Sequence, residues 1–227
     1  MSFYKRLVEE TNQHKMAMID IEFIQRGVSG NVTLDEYITF LTQAYHHVKH
    51  TVPLLMACGA HLPERHKWLQ AAVAEYIEEE LGHEEWILND IKHCGANPEL
   101  VRNGKPAMET ELMVSYAHDM INRINPVGFF GMVYVLEGTS VALATTAAEA
   151  IQQQLQLPKK AFSYLTSHGS LDISHVDFFE KLMDRVDDIN DQEQIIHCAK
   201  VFFKLYGDIF RSLDNTGNSL EVDYAAA

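Results

Sequence analysis

Four groups of residues carry the chemistry that this chain could perform. His168, Asp172 and His175, in Ser167-His168-Gly169-Ser170-Leu171-Asp172-Ile173-Ser174-His175, stand at i, i+4 and i+7. On one continuous helix they would share a face. Glu80 and His83 stand at i, i+3 in Glu78-Glu79-Glu80-Leu81-Gly82-His83-Glu84-Glu85-Trp86, with Glu79 at i, i+4 as an alternative partner for His83. Glu137 sits inside the apolar run FFGMVYVLEGTSVALA. His46, His47 and His50 follow one another in Tyr45-His46-His47-Val48-Lys49-His50. Imidazoles and carboxylates together, without thiolate, make a ligand inventory suited to iron or manganese rather than structural zinc.

Each group also has a plainer reading. Three polar residues can share a solvated helix face, and EEE…EE is what such a face looks like. Glu137 resists that reading. A carboxylate amid so many apolar neighbours is expensive to bury unless it is paired, hydrogen-bonded or metal-bound, and Arg123 is the nearest basic residue. The histidine group offers two pairs on one face, His46 with His50 and His47 with His50, and spacing alone does not say which imidazole points inward. Taken together, His46 (or His47), Glu80, His83, Glu137, His168, Asp172 and His175 give six or seven ligands. That is enough for two metal ions with open positions. Tyr76, Trp86, Tyr116 and Tyr134 are candidate pocket or electron-relay residues, although aromatics at helical spacing more often fill a core.

The elements that must position these residues read as helices throughout. Helices are expected over 2–26, then over 33–61 with a bend at Pro53, then from Pro63 to about 92. Thr33-Leu34-Asp35-Glu36 has the form of a capping box at the start of the second. Further helices are expected over 107–124 and, from Asn125-Pro126, over 127–155. A short helix from Pro158 leads into the HGSLD turn, another runs to about 186, and the last covers 190–213. No strand-like alternation or internal repeat is present. The expectation is a single all-α domain of about seven to nine helices over 1–214, with 215–227 a loose tail.

Composition narrows the partners. Hydrophobic residues make up 47% and charged residues 22%, as in ordinary soluble proteins. The net charge of −14 argues against nucleic acid. Three cysteines, Cys58, Cys94 and Cys198, lie far apart without a CxxC pair, which suits free thiols in a reducing cytoplasm. The N-terminus has no apolar signal-like run. Phe129 to Ala148 is long enough to span a bilayer, but Glu137 with Gly138, Thr139 and Ser140 points to a buried helix instead, and no membrane span is expected.

In their order along the chain, HVKHTVPLL, EEELGHEEW, NPVGFFGMVYVLEG and HGSLDISH resemble the heme-oxygenase-like di-iron oxidases and oxygenases, a group that takes in iron-containing redox enzymes and TenA/pyrroloquinoline-quinone-synthase-like proteins. The resemblance covers roughly 33–210. It implies a heme-oxygenase-like helical bundle, a homodimer, and one or two iron ions acting with O2 on a small molecule. It also implies that Glu80 and His83 serve one metal with His168 or His175, that Glu137 bridges, and that Asp172 completes the second metal. Where the family commonly has a further Glu on the second helix, this chain offers His46, His47 and His50. Three alternatives stand beside the oxidase: a metal-free TenA-type thiaminase with an activated cysteine, a true heme oxygenase, and a non-catalytic helical ligand-binding or regulatory protein of the same fold.

Overall fold

The computed structural model describes residues 1–214, without the side chains of 168–175. The described residues form eleven α-helices and no strand: α1 (Phe3–Ile19), α2 (Glu22–Val28), α3 (Leu34–Val48), α4 (Thr51–His61), α5 (Lys67–Glu80), α6 (His83–His93), α7 (Pro98–Arg102), α8 (Met108–Asp119), α9 (Phe129–Leu155), α10 (Ser163–Met183) and α11 (Ile189–Asp214). The expected helices exist, but three of them are broken.

The chain breaks at Asp20 and again at Lys49–His50. Pro53 falls in the first turn of α4, where its missing N–H matters little, and its ring excludes a continuous helix through the carbonyl four residues back. The bend expected at Pro53 is therefore a break just before it. The third break is at Gly82, whose φ of 88° lies in the left-handed region. A Cβ there would meet nothing within 4 Å, so the glycine is required for its backbone angle and not for close approach. Conversely, one helix, α10, replaces the two expected between Pro158 and 186.

One hydrophobic core joins these elements, with α9 at its centre against α10, α11 and α2. Leu7, Leu41, Leu54, Leu69, Ile87, Met113, Phe130 and Val135 are fully buried in it, each side chain adding about 1.5–3 kcal/mol. The stretch Pro126–Leu155 is long and apolar enough to cross a membrane by length and composition, and half of its most apolar window is buried against neighbouring helices. Gly131 sets how closely α9 meets α11. A Cβ there would lie 2.7 Å from the Ala199 nitrogen and the Ile195 carbonyl oxygen.

Helix ends are fixed from a distance as well as locally. The capping box at Thr33 forms, with the Thr33 N–H donating to Glu36 at 2.7 Å and the Glu36 N–H donating to Thr33 Oγ1 at 3.2 Å. The start of α8 has no local side-chain cap. Gln43 of α3 serves instead, accepting from the Ala107 N–H at 2.9 Å and the Thr110 hydroxyl at 2.8 Å. Asp90 of α6 does the same for α10: its buried carboxylate accepts from the Ser163 N–H at 3.0 Å, the Tyr164 N–H at 2.8 Å and the Ser163 hydroxyl. The α6 helix that begins with His83 is thus tied to the first turn of α10.

Candidate metal centre

A cavity of about 70 Å³ opens between α3, α4, α5, α9, α10 and α11. His47, Tyr76, Glu80 and Glu137 contribute its chemistry, and Leu55, Phe129 and Met132 contribute apolar wall. Each reaches it for a local reason. His47 is in the last turn of α3, Glu80 is the final residue of α5, and Glu137 lies midway along α9. His83, the first residue of α6, is buried and places Nδ1 3.1 Å from Glu80 Oε2. Glu80 and His83 therefore meet across the Gly82 break rather than along one helix.

Among the described residues, the histidine that lines the cavity is His47. His46, one residue earlier and about 100° around the helix, is also buried, but its Nδ1 lies 3.2 Å from Lys49 Nζ. A side chain added at Gly104 would come within 3.9 Å of His46 Nε2, which places that ring edge beside the connector after α7. Burial, then the Lys49 ammonium and His50, push the His46 imidazole down to about 4, so it is neutral and accepts from Lys49. His50 is half-buried with its ring 6.1 Å from that of His118, and Glu79 is exposed.

Of the four candidate pocket aromatics, Tyr76 lines the cavity. Its ring meets Phe178 of α10 at 5.7 Å. Burial, and then the carboxylates of Glu137, Glu79, Glu75 and Glu80, hold its phenol well above the usual range, so it stays protonated. The other three are placed elsewhere. Trp86 stacks on His83 with ring centroids 3.9 Å apart. Tyr116 packs on Phe202 with its hydroxyl 3.6 Å from Cys198 Sγ. Tyr134 accepts from the Thr11 hydroxyl at 3.3 Å and packs on Phe179 and Phe203. Helical spacing brought Tyr116 and Tyr134 to the core and left Trp86 half-buried on His83, not at the cavity.

Sequence reasoning missed Tyr164, Tyr206, Thr51 and Ser140, all of which line the cavity. Tyr206 sets its ring edge against His47 at 5.7 Å. Tyr164 stands four residues before His168, and that spacing was the one available signal.

His168, Asp172 and His175 lie outside the described residues. Among the described residues, no group of three or more His, Cys, Asp and Glu side chains converges closely enough to hold a metal. The donors that are described around the cavity (His47, Glu80, Glu137 and the adjoining His83) are all nitrogen or oxygen, which fits iron or manganese. The thiols are elsewhere. Cys58, Cys94 and Cys198 are buried and do not line this cavity. Burial pushes Cys58 and Cys94 up to about 12 and raises Cys198, so none is primed as a nucleophile.

Residues 38–207 match the family model described as iron-containing redox enzyme. The chain belongs to that family. Solved structures similar to this iron-containing redox enzyme family member share its fold at low identity. A domain of unknown function with a heme oxygenase-like fold from Shewanella denitrificans is 21% identical, with a TM-score of 0.85 over 99% of this chain and 98% of that one. A TenA homologue from Pseudomonas syringae is 10% identical, with a TM-score of 0.78 over 94% and 93%. A heme oxygenase-1 from the cyanobacterium Synechocystis, in complex with heme, is 12% identical, with a TM-score of 0.75 over 95% and 94%. The fold is therefore heme-oxygenase-like and all-α. Comparison with curated proteins gave no match.

Proposed function

We propose that this chain is a non-heme iron oxidase or oxygenase that uses O2 on a small organic molecule, with the metal held at the cavity between α3, α5, α9 and α10. The observation that carries this reading is the placement of Glu137. It comes from the middle of the apolar helix α9 and lines the same cavity as Glu80 and His47. Three separate helices bring carboxylate and imidazole to one apolar-walled space, which is how bundle proteins build carboxylate-bridged iron sites.

The proposed ligands are His47, Glu80, His83 and Glu137, completed by His168, Asp172 and His175 of α10. Support for the last three is positional. Tyr164 lines the cavity and Phe178 touches Tyr76. His168, Asp172 and His175 stand four, eight and eleven residues after Tyr164, the positions that recur on one helical stripe before Phe178. That inventory accommodates two ions, with manganese an acceptable substitute.

Iron bound there would supply the electrons and the open coordination positions needed to activate O2. The chain's own residues do the remaining work. Phe129, Met132 and Leu136 exclude water from the α9 wall. Glu80 and His83 hold each other in position across Gly82. Tyr76, which stays protonated, lines the cavity and shapes the wall a bound substrate would meet. Heme is the competing reading, favoured by the heme-bound relative of the same fold. Two carboxylates at the cavity weigh against it, because a porphyrin already supplies four nitrogen donors and has no use for them.

Metal analysis with an optical spectrum tests the choice. The expected result is one or two irons per chain without a Soret band, and O2 uptake after anaerobic Fe(II) loading. A Soret band, or failure to bind Fe(II) at all, overturns it.

A further inference from the structure

A second cavity, of about 80 Å³, lies beside the first, and both are lined by Ser140, Tyr164 and Tyr206. Its chemistry is the opposite of its neighbour's. Among the described residues, no charged side chain lines it. Two of its polar groups are already engaged: the Tyr37 hydroxyl donates to the Ala161 carbonyl at 2.8 Å, and the Thr139 hydroxyl donates to the Val135 carbonyl at 2.6 Å. One wall is a run of packed rings, with Tyr37 on Phe40 at 6.3 Å, Phe40 on Phe210 at 6.1 Å and Phe210 on Phe23 at 6.4 Å. The facing wall is the small-residue side of α9, where Leu143, Ala144, Ala147 and Ile151 follow Ser140. Among the described residues, polar donors therefore concentrate at the junction and at the first cavity, while the far end offers apolar surface.

We infer that the two cavities form one substrate site, in which the second receives a slender, uncharged apolar body and the first receives the polar end that reacts. The inference rests on the proposed function only for which end reacts. Ile151 stands fourteen residues after Glu137 on the same helix, so the combined site extends about 21 Å along α9. The substrate class is thus an amphipathic small molecule with an extended apolar part. Leu143 and Ala147 set how wide and how deep that part can be. Each buried methylene should tighten binding by about fourfold until the space is full.

The test uses straight-chain 1-alkanols from butanol to dodecanol, titrated calorimetrically into the full-length protein with and without anaerobic Fe(II). Neutral alcohols avoid repulsion from Glu80 and Glu137 when no metal is present. The dissociation constant should fall about fourfold per added methylene and then level off. Ala147→Phe should move the levelling point to a shorter alcohol. Leu143→Ala, which removes volume and so does not depend on accommodating a larger ring, should tighten binding of a cyclohexyl-terminated alcohol relative to its straight-chain counterpart. Affinity independent of chain length, or unchanged length and width preferences in both folded variants, overturns the inference. Iron binding without the chain-length ladder defeats the two-cavity site alone. A ladder without iron binding supports the site and defeats the metal reading instead.

Discussion

Two clusters of ionisable groups in this molecule, one buried and one half-buried, are put to different uses. At the start of α11, Asp191 is almost fully buried and its charge is met on every side. Arg65 donates to both carboxylate oxygens at 3.1 Å, Asn125 donates at 2.8 Å, and His66 Nε2 lies at 2.5 Å. Burial alone would raise this carboxyl, but the bonds from Asn125, His66 and Arg65 outweigh it and hold the carboxyl below its ordinary value. It lines neither of the two cavities described above. At the second cluster, His47, Glu80 and Glu137 turn instead toward a shared space. The first cluster closes its charge within the protein and joins the chain before α5, the entry to α9, and α11. The second brings the same residue types to a place where something else can bind. Burial of charge does not separate structure from chemistry in this protein; the presence of room beside the charge does.

The largest effect expected from breaking the comparison is at the closed cluster. Asp191→Ala should cost about 3–5 kcal/mol of stability, since it leaves the buried His66 and the half-buried Asn125 without their partner. Iron bound per folded molecule should not change. Denaturant unfolding and metal analysis on the same preparation would check both halves, and loss of iron in a folded variant would merge the two clusters into one function. Next comes Gly131→Ala, which forces the α9 and α11 backbones apart at a 2.7 Å approach. It should cost about 1–3 kcal/mol and, because α9 carries Glu137, should also weaken Fe(II) binding. A melting curve alongside an Fe(II) titration would read both.

Acid sharpens the contrast between neighbouring histidines. The His46 imidazole titrates at about 4 in the folded protein and near 6.5 when unfolded. Its neutral form therefore stabilises the fold fully above pH 6.5, and that contribution is lost as pH falls from 6.5 toward 4. The expected loss is on the order of 2 kcal/mol. Urea unfolding at pH 7 and pH 4.5 should show it in the wild type and not in His46→Gln, which should still bind iron. Smallest is Thr33→Ala, which removes the cap of the helix that carries His47. It should cost about 1 kcal/mol without altering iron content, as thermal unfolding would measure.

How far the sequence could be read depended on whether a feature is local. The capping box at Thr33 and the isolated Glu137 were legible because each is a mismatch or a match with its own neighbours. The break at Gly82 was not, because a glycine within helical periodicity gives no sign that its φ will be positive. The choice between His46 and His47 depends on where α5 and α9 lie relative to α3, and no spacing within 46–50 carries that. Trp86, Tyr116 and Tyr134 read as pocket candidates because aromatic type is visible in sequence and direction is not. Nothing next to Asp191 in the chain marks its role, because its partners come from 66 and 125, far away in the sequence.

The central claim is that Glu137 serves a metal in the open cluster. Anaerobic Fe(II) titration of wild type and Glu137→Ala, with circular dichroism on both, tests it most directly. Wild type should take up one or two ions tightly, and Glu137→Ala, still helical, should lose at least one of them or bind at least about tenfold more weakly. Equal stoichiometry and equal affinity in the two proteins would contradict the account.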